Sequence, residues 1–114
     1  MKEYEEGVLL RISIDESSRC KGRPLYEAIV HEARELKLAG ATVLKGVMGY
    51  GADSQIHTTK VLRLSEDLPI VIEIVDTRER VNSILPFLDE NVKDGLITME
   101  TVRVIKYQHN KKAN

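Results

Sequence analysis

The sequence predicts an α+β domain of ferredoxin-like topology, βαββαβ, in which two helices cover one face of an antiparallel sheet. Three observations predict it. Val8, Leu10, Ile12 and Ile14 alternate with other residues at the period of a strand that buries one face. Ile70-Val71-Ile72-Glu73-Ile74-Val75 is a β-branched run interrupted by a single Glu. Each of these segments is followed by apolar residues that recur at helical spacing.

The first strand is broken by the polar run 15–23, and Pro24 suits the first turn of a helix, where its missing N–H costs nothing. Leu25, Ala28, Ile29, Ala33 and Leu36 then mark the buried stripe of that helix, and Gly40 is the expected closing residue. Residues 41–48 read as the second strand. From residue 49 to residue 67 the periodicity weakens, which predicts a long loop with Val61, Leu62 and Leu64 as a short extended piece. Pro69 opens the third strand. Asp76 and Glu79 match a capping box, and Val81, Ile84, Leu85, Leu88 and Val92 follow at i, i+3, i+4, i+7 and i+11. Pro86 removes the hydrogen bond to the Asn82 carbonyl and predicts a kink in that second helix. Asp94-Gly95 turns the chain into a last strand at 96–107, so that 7–107 is one domain and 108–114 a polar tail.

Two helices leave one sheet face uncovered, and that face carries Leu9, Leu44, Val71 and Val75 interspersed with Arg11 and Glu73. So much apolar surface predicts association through the sheets.

At 114 residues the chain holds one domain, with 42% hydrophobic and 31% charged residues as in soluble globular proteins. The net charge of -1 gives no global attraction to nucleic acid or an anionic membrane, so no direct nucleic-acid partner is expected. Cys20 is the single cysteine, which excludes an intrachain disulfide and fits a reducing, cytoplasmic setting. Neither a secretory leader nor a membrane-spanning run is apparent. His31, His57 and His109 show no metal-ligand spacing with Cys20, and no metal is expected.

Glycines concentrate in Lys45-Gly46-Val47-Met48-Gly49-Tyr50-Gly51. On this motif alone the pattern favours a strand end that needs a bulge and a turn over a backbone cradle for phosphate or carboxylate. Residues 15–23 bring Arg19, Lys21 and Arg23 near a helix N-terminus, as either an anion site or a solvated loop. The long loop adds Ser54, His57, Thr58, Thr59, Lys60 and Arg63, yet no third orienting group completes a nucleophilic set. No catalytic residue is assigned.

Gly22-Arg23-Pro24-Leu25-Tyr26-Glu27, Gly40-Ala41-Thr42-Val43, Gly49-Tyr50-Gly51, Ile56-His57-Thr58 and Leu64-Ser65-Glu66-Asp67-Leu68-Pro69 together resemble the PII signalling superfamily, specifically its short uncharacterised PII-like (GlnB-like) family. The resemblance runs from about residue 9 to residue 107. It implies a homotrimer with the sheets facing inward, a mobile T-loop leaving the second strand, and effectors, often adenine nucleotides, in the clefts between subunits. It carries Thr42, Gly49 and Gly51 over as ligand-binding candidates, with Asp94 and Gly95 at the turn before the last strand, and the expected cleft also takes in Tyr50 and Lys93 beside them. The chain departs from PII proteins in having Ala52-Asp53 after Gly51, where they place a basic and an amide residue, and Leu96 after Gly95, where they place a lysine. With fewer cations for phosphate, AMP or ADP is preferred over ATP as effector, with Arg23, Lys93 or Arg103 supplying charge. Ser54, His57, Lys60 and Arg63 fall on the expected switch loop, 52–65. The family is associated with membrane ion-export channels, including fluoride exporters, so a membrane transport or channel protein is the implied partner. The resemblance implies a ligand-sensing regulator that is not an enzyme and requires no cofactor. Two alternatives stand beside it: an enzyme for a small anionic substrate with His57 as base, and a purely structural trimer.

Overall fold

Alternation in β1 (Glu5–Asp15) sends Val8, Leu10, Ile12 and Ile14 to one side, and all four are buried. The computed structural model describes residues 5–51, 57–58 and 67–108. In chain order β1 is followed by β2 (Arg19–Cys20), β3 (Arg23–Pro24), α1 (Leu25–Glu35), β4 (Thr42–Lys45), β5 (Met48–Gly49) and β6 (His57–Thr58). Then come β7 (Pro69–Asp76), α2 (Arg78–Asn82), α3 (Leu85–Asn91) and β8 (Leu96–Val104). The main sheet has the order β4-β7-β1-β8, and every neighbouring pair is antiparallel. This is the split βαβ arrangement expected from the sequence.

Opposed residues of antiparallel strands share a face, so the register sorts the sheet into two sides. Ile12 lies opposite Ile72 and Ile97, and Leu10 opposite Ile74 and Met99. That side packs against Leu25, Ile29 and Ala33 of α1 and against Val81, Ile84 and Leu88. Leu10, Ile12, Ile29, Ile72, Val81 and Ile84 are wholly removed from solvent, each contributing about 1.5–3 kcal/mol of transfer free energy. The other side carries the rows Leu44–Val71–Ser13–Leu96 and Thr42–Glu73–Arg11–Thr98. No helix covers it. Arg11 Nε meets Glu73 Oε2 at 3.1 Å there, and its Nη1 lies 3.9 Å from Glu100 Oε1.

Several local expectations are corrected. The polar run 15–23 contains a hairpin, β2 with β3, whose two turn residues Lys21 and Gly22 both have positive φ (51° and 84°). That is the backbone of a tight two-residue turn matched to strand twist. Helix α1 ends at Glu35 and is closed by Lys37, not by Gly40. Lys37 takes the left-handed conformation (φ 63°), its N–H donates to the Arg34 carbonyl and that of Leu38 to the Ala33 carbonyl, which closes the helix with buried Leu38 packed below.

The second helix is capped one residue later than expected. Thr77 is the N-cap and accepts from the Arg80 N–H at 3.2 Å, while the Asp76 carboxylate accepts from Thr77 N and from Ala39 N. Pro86 does more than kink that helix. It divides it into α2 and α3, with the proline in the first turn of α3, where an N–H is dispensable. The second strand stops at Lys45, and the last at Val104. Val61, Leu62 and Leu64 lie outside the described residues.

Candidate functional site

The base of the long loop is built against Pro69, the first residue of β7. Beyond Lys45 the chain leaves the main sheet, and the Gly46 N–H donates to the Pro69 carbonyl at 2.8 Å. A Cβ on Gly46 would stand 2.8 Å from Pro69 Cγ, and one on Gly49 3.1 Å from the same atom. Close backbone approach therefore accounts for both glycines. Gly51 differs, since a Cβ there would meet nothing within 4 Å among the described residues. Met48 and Gly49 pair with Thr58 and His57, so the part of the loop expected to be irregular begins as a two-stranded ribbon. Val47, Met48 and Tyr50 are exposed along it.

The returning end of the loop is held by Glu16, directly after β1. Its N–H donates to the Leu68 carbonyl (2.9 Å), its Oε1 accepts from Leu68 N (3.4 Å), and its Oε2 pairs with Lys45 Nζ at 2.8 Å. Ser17 N donates to Asp67 Oδ1 at 3.0 Å. Residues 16 and 17 thus touch both the departing and the returning strand of the loop. Sequence reasoning passed over these contacts. Lys45 was visible as the first residue of the glycine motif, but its partner is supplied only by the folded sheet.

The second half of the candidate site is the turn 93–95. Lys93, Asp94 and Gly95 are exposed, and a Cβ on Gly95 would lie 2.6 Å from the Ser13 carbonyl oxygen, so the turn is pressed onto the end of β1. Lys45 opposes Ile70, Ile14 opposes Ile70 from the other side, and Leu96 opposes Ser13. Residues 46–51 and 93–95 consequently lie at the same end of the sheet. Residues 46–51 follow β4 and residues 93–95 precede β8, the two edge strands, which are three strand spacings or about 14 Å apart.

The remaining candidates fall as follows. Thr42 begins β4 on the uncovered face, opposite Glu73. Arg23 is exposed in β3. Arg103 opposes Glu6, eight residues along β8 from Gly95 and therefore about 27 Å away, so one chain does not bring it to the other candidates. His57 is placed by its backbone in β6, and Ser54, Lys60 and Arg63 lie outside the described residues. Among the described residues no group of three or more His, Cys, Asp and Glu side chains is arranged to hold a metal ion. No helix among them is long and apolar enough to cross a membrane.

This geometry has relatives. The chain is 39% identical over 100 residues to a UPF0166 protein of Aquifex aeolicus (strain VF5), covering 85% of this chain and 91% of that one. It is 36% identical over 99 residues to the UPF0166 protein MJ1524 of Methanocaldococcus jannaschii, covering 86% and 91%. Among solved structures it is similar to CPII, a nitrogen regulatory PII-like protein of Thiomonas intermedia K12 bound to ADP, AMP and bicarbonate. That match has a TM-score of 0.67 at 17% identity and covers 91% of this chain and 92% of the other, a likeness of fold. The profile of the DUF190 family (Uncharacterized ACR, COG1993) matches residues 7–104, and with nearly the whole domain inside that match the chain belongs to this family, whose fold is that of PII-like signalling proteins.

Proposed function

We propose that this protein is a PII-like ligand-sensing regulator that binds AMP or ADP in clefts between the subunits of a homotrimer and signals through the long loop. One observation carries the reading. The glycine-rich loop base and the turn 93–95 share an end of the sheet but occupy its two opposite edges, so a neighbouring copy is what brings one set against the other. CPII, with the same fold, is bound to ADP and AMP, which supplies the ligand class. In this reading Thr42, Gly49, Tyr50 and Gly51 of one subunit face Lys93, Asp94 and Gly95 of the next, and Arg23 adds charge at the rim. The loop segment carrying Ser54, His57, Lys60 and Arg63 answers to the ligand and presents or withholds a surface for a partner, with a membrane transport or channel protein as the partner class. The protein binds and signals without turnover of the nucleotide.

Native mass spectrometry of the purified protein, followed by calorimetric titration with AMP, ADP and ATP, tests the proposal. Three copies with up to three nucleotides, and tighter binding of AMP or ADP than of ATP, are expected. Ligand at 100 times its Kd should then add ~2.7 kcal/mol to stability. A monomer, or a trimer whose melting none of the three nucleotides alters, rejects it.

A further inference from the structure

Lys45 stands where an apolar residue would ordinarily sit. Its register partner Ile70 is in the core, 2% exposed, so the Lys45 Cβ leaves the backbone on the helix-covered side of the edge strand β4. From there Nζ reaches the carboxylate of Glu16, which follows the central strand β1. The two side chains meet over the start of β7, closing a gap of two strand spacings, about 10 Å. Glu16 is the fixed member of the pair. Its side chain is only 19% exposed, and its backbone and second carboxylate oxygen are both bonded to Leu68, whereas Lys45 is 52% exposed on a flexible stem. Immediately after Lys45 the backbone is laid against Pro69 through Gly46 and Gly49.

We infer that Lys45 is the anion-recognising cation at the base of the loop and that Glu16 is its built-in competitor. The inference rests on the proposed nucleotide-binding reading and adds to it the residue that meets the phosphate and the residue that sets its selectivity. An anion arriving beside the glycine backbone gains Lys45 only by displacing a carboxylate already 2.8 Å away. A singly charged anion offers the ammonium no more than Glu16 does. A phosphoryl group with close to two charges offers more, so the pair discriminates by charge. When Lys45 leaves, Glu16 keeps its contacts to Leu68, and the ion pair that ties the departing end of the loop to the returning end is gone.

Calorimetric titration of ADP and of inorganic pyrophosphate into wild type, Glu16→Gln, Lys45→Gln and the double variant tests this, with thermal melts as the check on folding. Gln at position 16 keeps an acceptor for Leu68 N while removing the carboxylate charge that faces Lys45. Expected are about tenfold tighter binding of both probes by Glu16→Gln, about tenfold weaker binding by Lys45→Gln, and no gain from Glu16→Gln once Lys45 is absent. Unchanged or weaker binding by a normally folded Glu16→Gln, or a gain that survives without Lys45, overturns the inference. Should Glu16→Gln fail to fold, Glu16→Asp, whose carboxylate is one methylene short of Lys45, is expected to tighten binding less and in the same Lys45-dependent way, and its failure to do so counts equally against. If ADP binds no variant while pyrophosphate shows the full pattern, the nucleotide reading falls and the Lys45 assignment stands. If neither probe binds Glu16→Gln, the Lys45 assignment falls.

Discussion

Three glycines of the candidate site make three different demands. Gly95 would place a Cβ 2.6 Å from a backbone oxygen of β1, which cannot yield without moving the central strand, whereas Gly46 would meet the pyrrolidine ring of Pro69 at 2.8 Å and Gly51 none of the described residues within 4 Å. Gly95→Ala is therefore expected to cost about 1–3 kcal/mol, as overpacking does. Gly51→Ala should stay within ~0.5 kcal/mol. Urea midpoints of the two variants check the difference, and Gly51→Ala becomes the substitution that probes ligand approach without disturbing the fold. Lys37, in the left-handed region at φ 63°, carries a strain that glycine lacks. Lys37→Gly should raise stability by ~1 kcal/mol in the same assay, and a lower midpoint would show that the lysine side chain contributes more than its backbone costs. In the sequence Gly46 and Gly51 stood out within one cluster and Gly95 as part of a turn. Which of them serves the fold was not legible there, because Pro69 and Ser13 come beside them only through strand pairing.

At the scale of elements, β1 and β7 were legible because their alternation translates directly into burial: Ile70, Ile72 and Ile74 lie on the core side as Leu10, Ile12 and Ile14 do. Caps were less legible. Asp76 and Glu79 have the spacing of a capping box, but Asp76 is engaged with Ala39 of the α1–β4 connection, and Thr77 takes the N-cap. Removing that cap in Thr77→Ala is expected to lower stability by about 1 kcal/mol, read as a shift of the thermal midpoint. An unchanged midpoint would mean that packing of Val81 and Ile84 alone holds the five-residue α2 in place. The hairpin of β2 and β3 and the Glu16 contacts escaped sequence reasoning for a common reason: a two-residue strand has no periodicity, and Glu16 meets Leu68 across 52 positions of chain.

For the whole molecule the uncovered sheet face is the dominant feature. Leu44 and Leu96 are 49% and 62% exposed at the two ends of a row that includes Val71, and the Arg11–Glu73 pair lies in the next row. An apolar surface with a charged pair in register suits contact with further copies of itself. Val71→Asp would set an unpartnered charge in that contact, so light scattering should show the wild type associated and the variant monomeric at micromolar concentration. A monomeric wild type would remove the basis for sheet-to-sheet assembly. If the clefts do lie between copies, each draws on the β4 edge of one chain and the β8 edge of another, which makes the two edges genetically separable. A protein damaged at residues 46–51 and one damaged at 93–95 would each be inert alone, yet mixed equally and reassembled they should regain roughly one working cleft in four, because each inert partner lends the edge the other has lost.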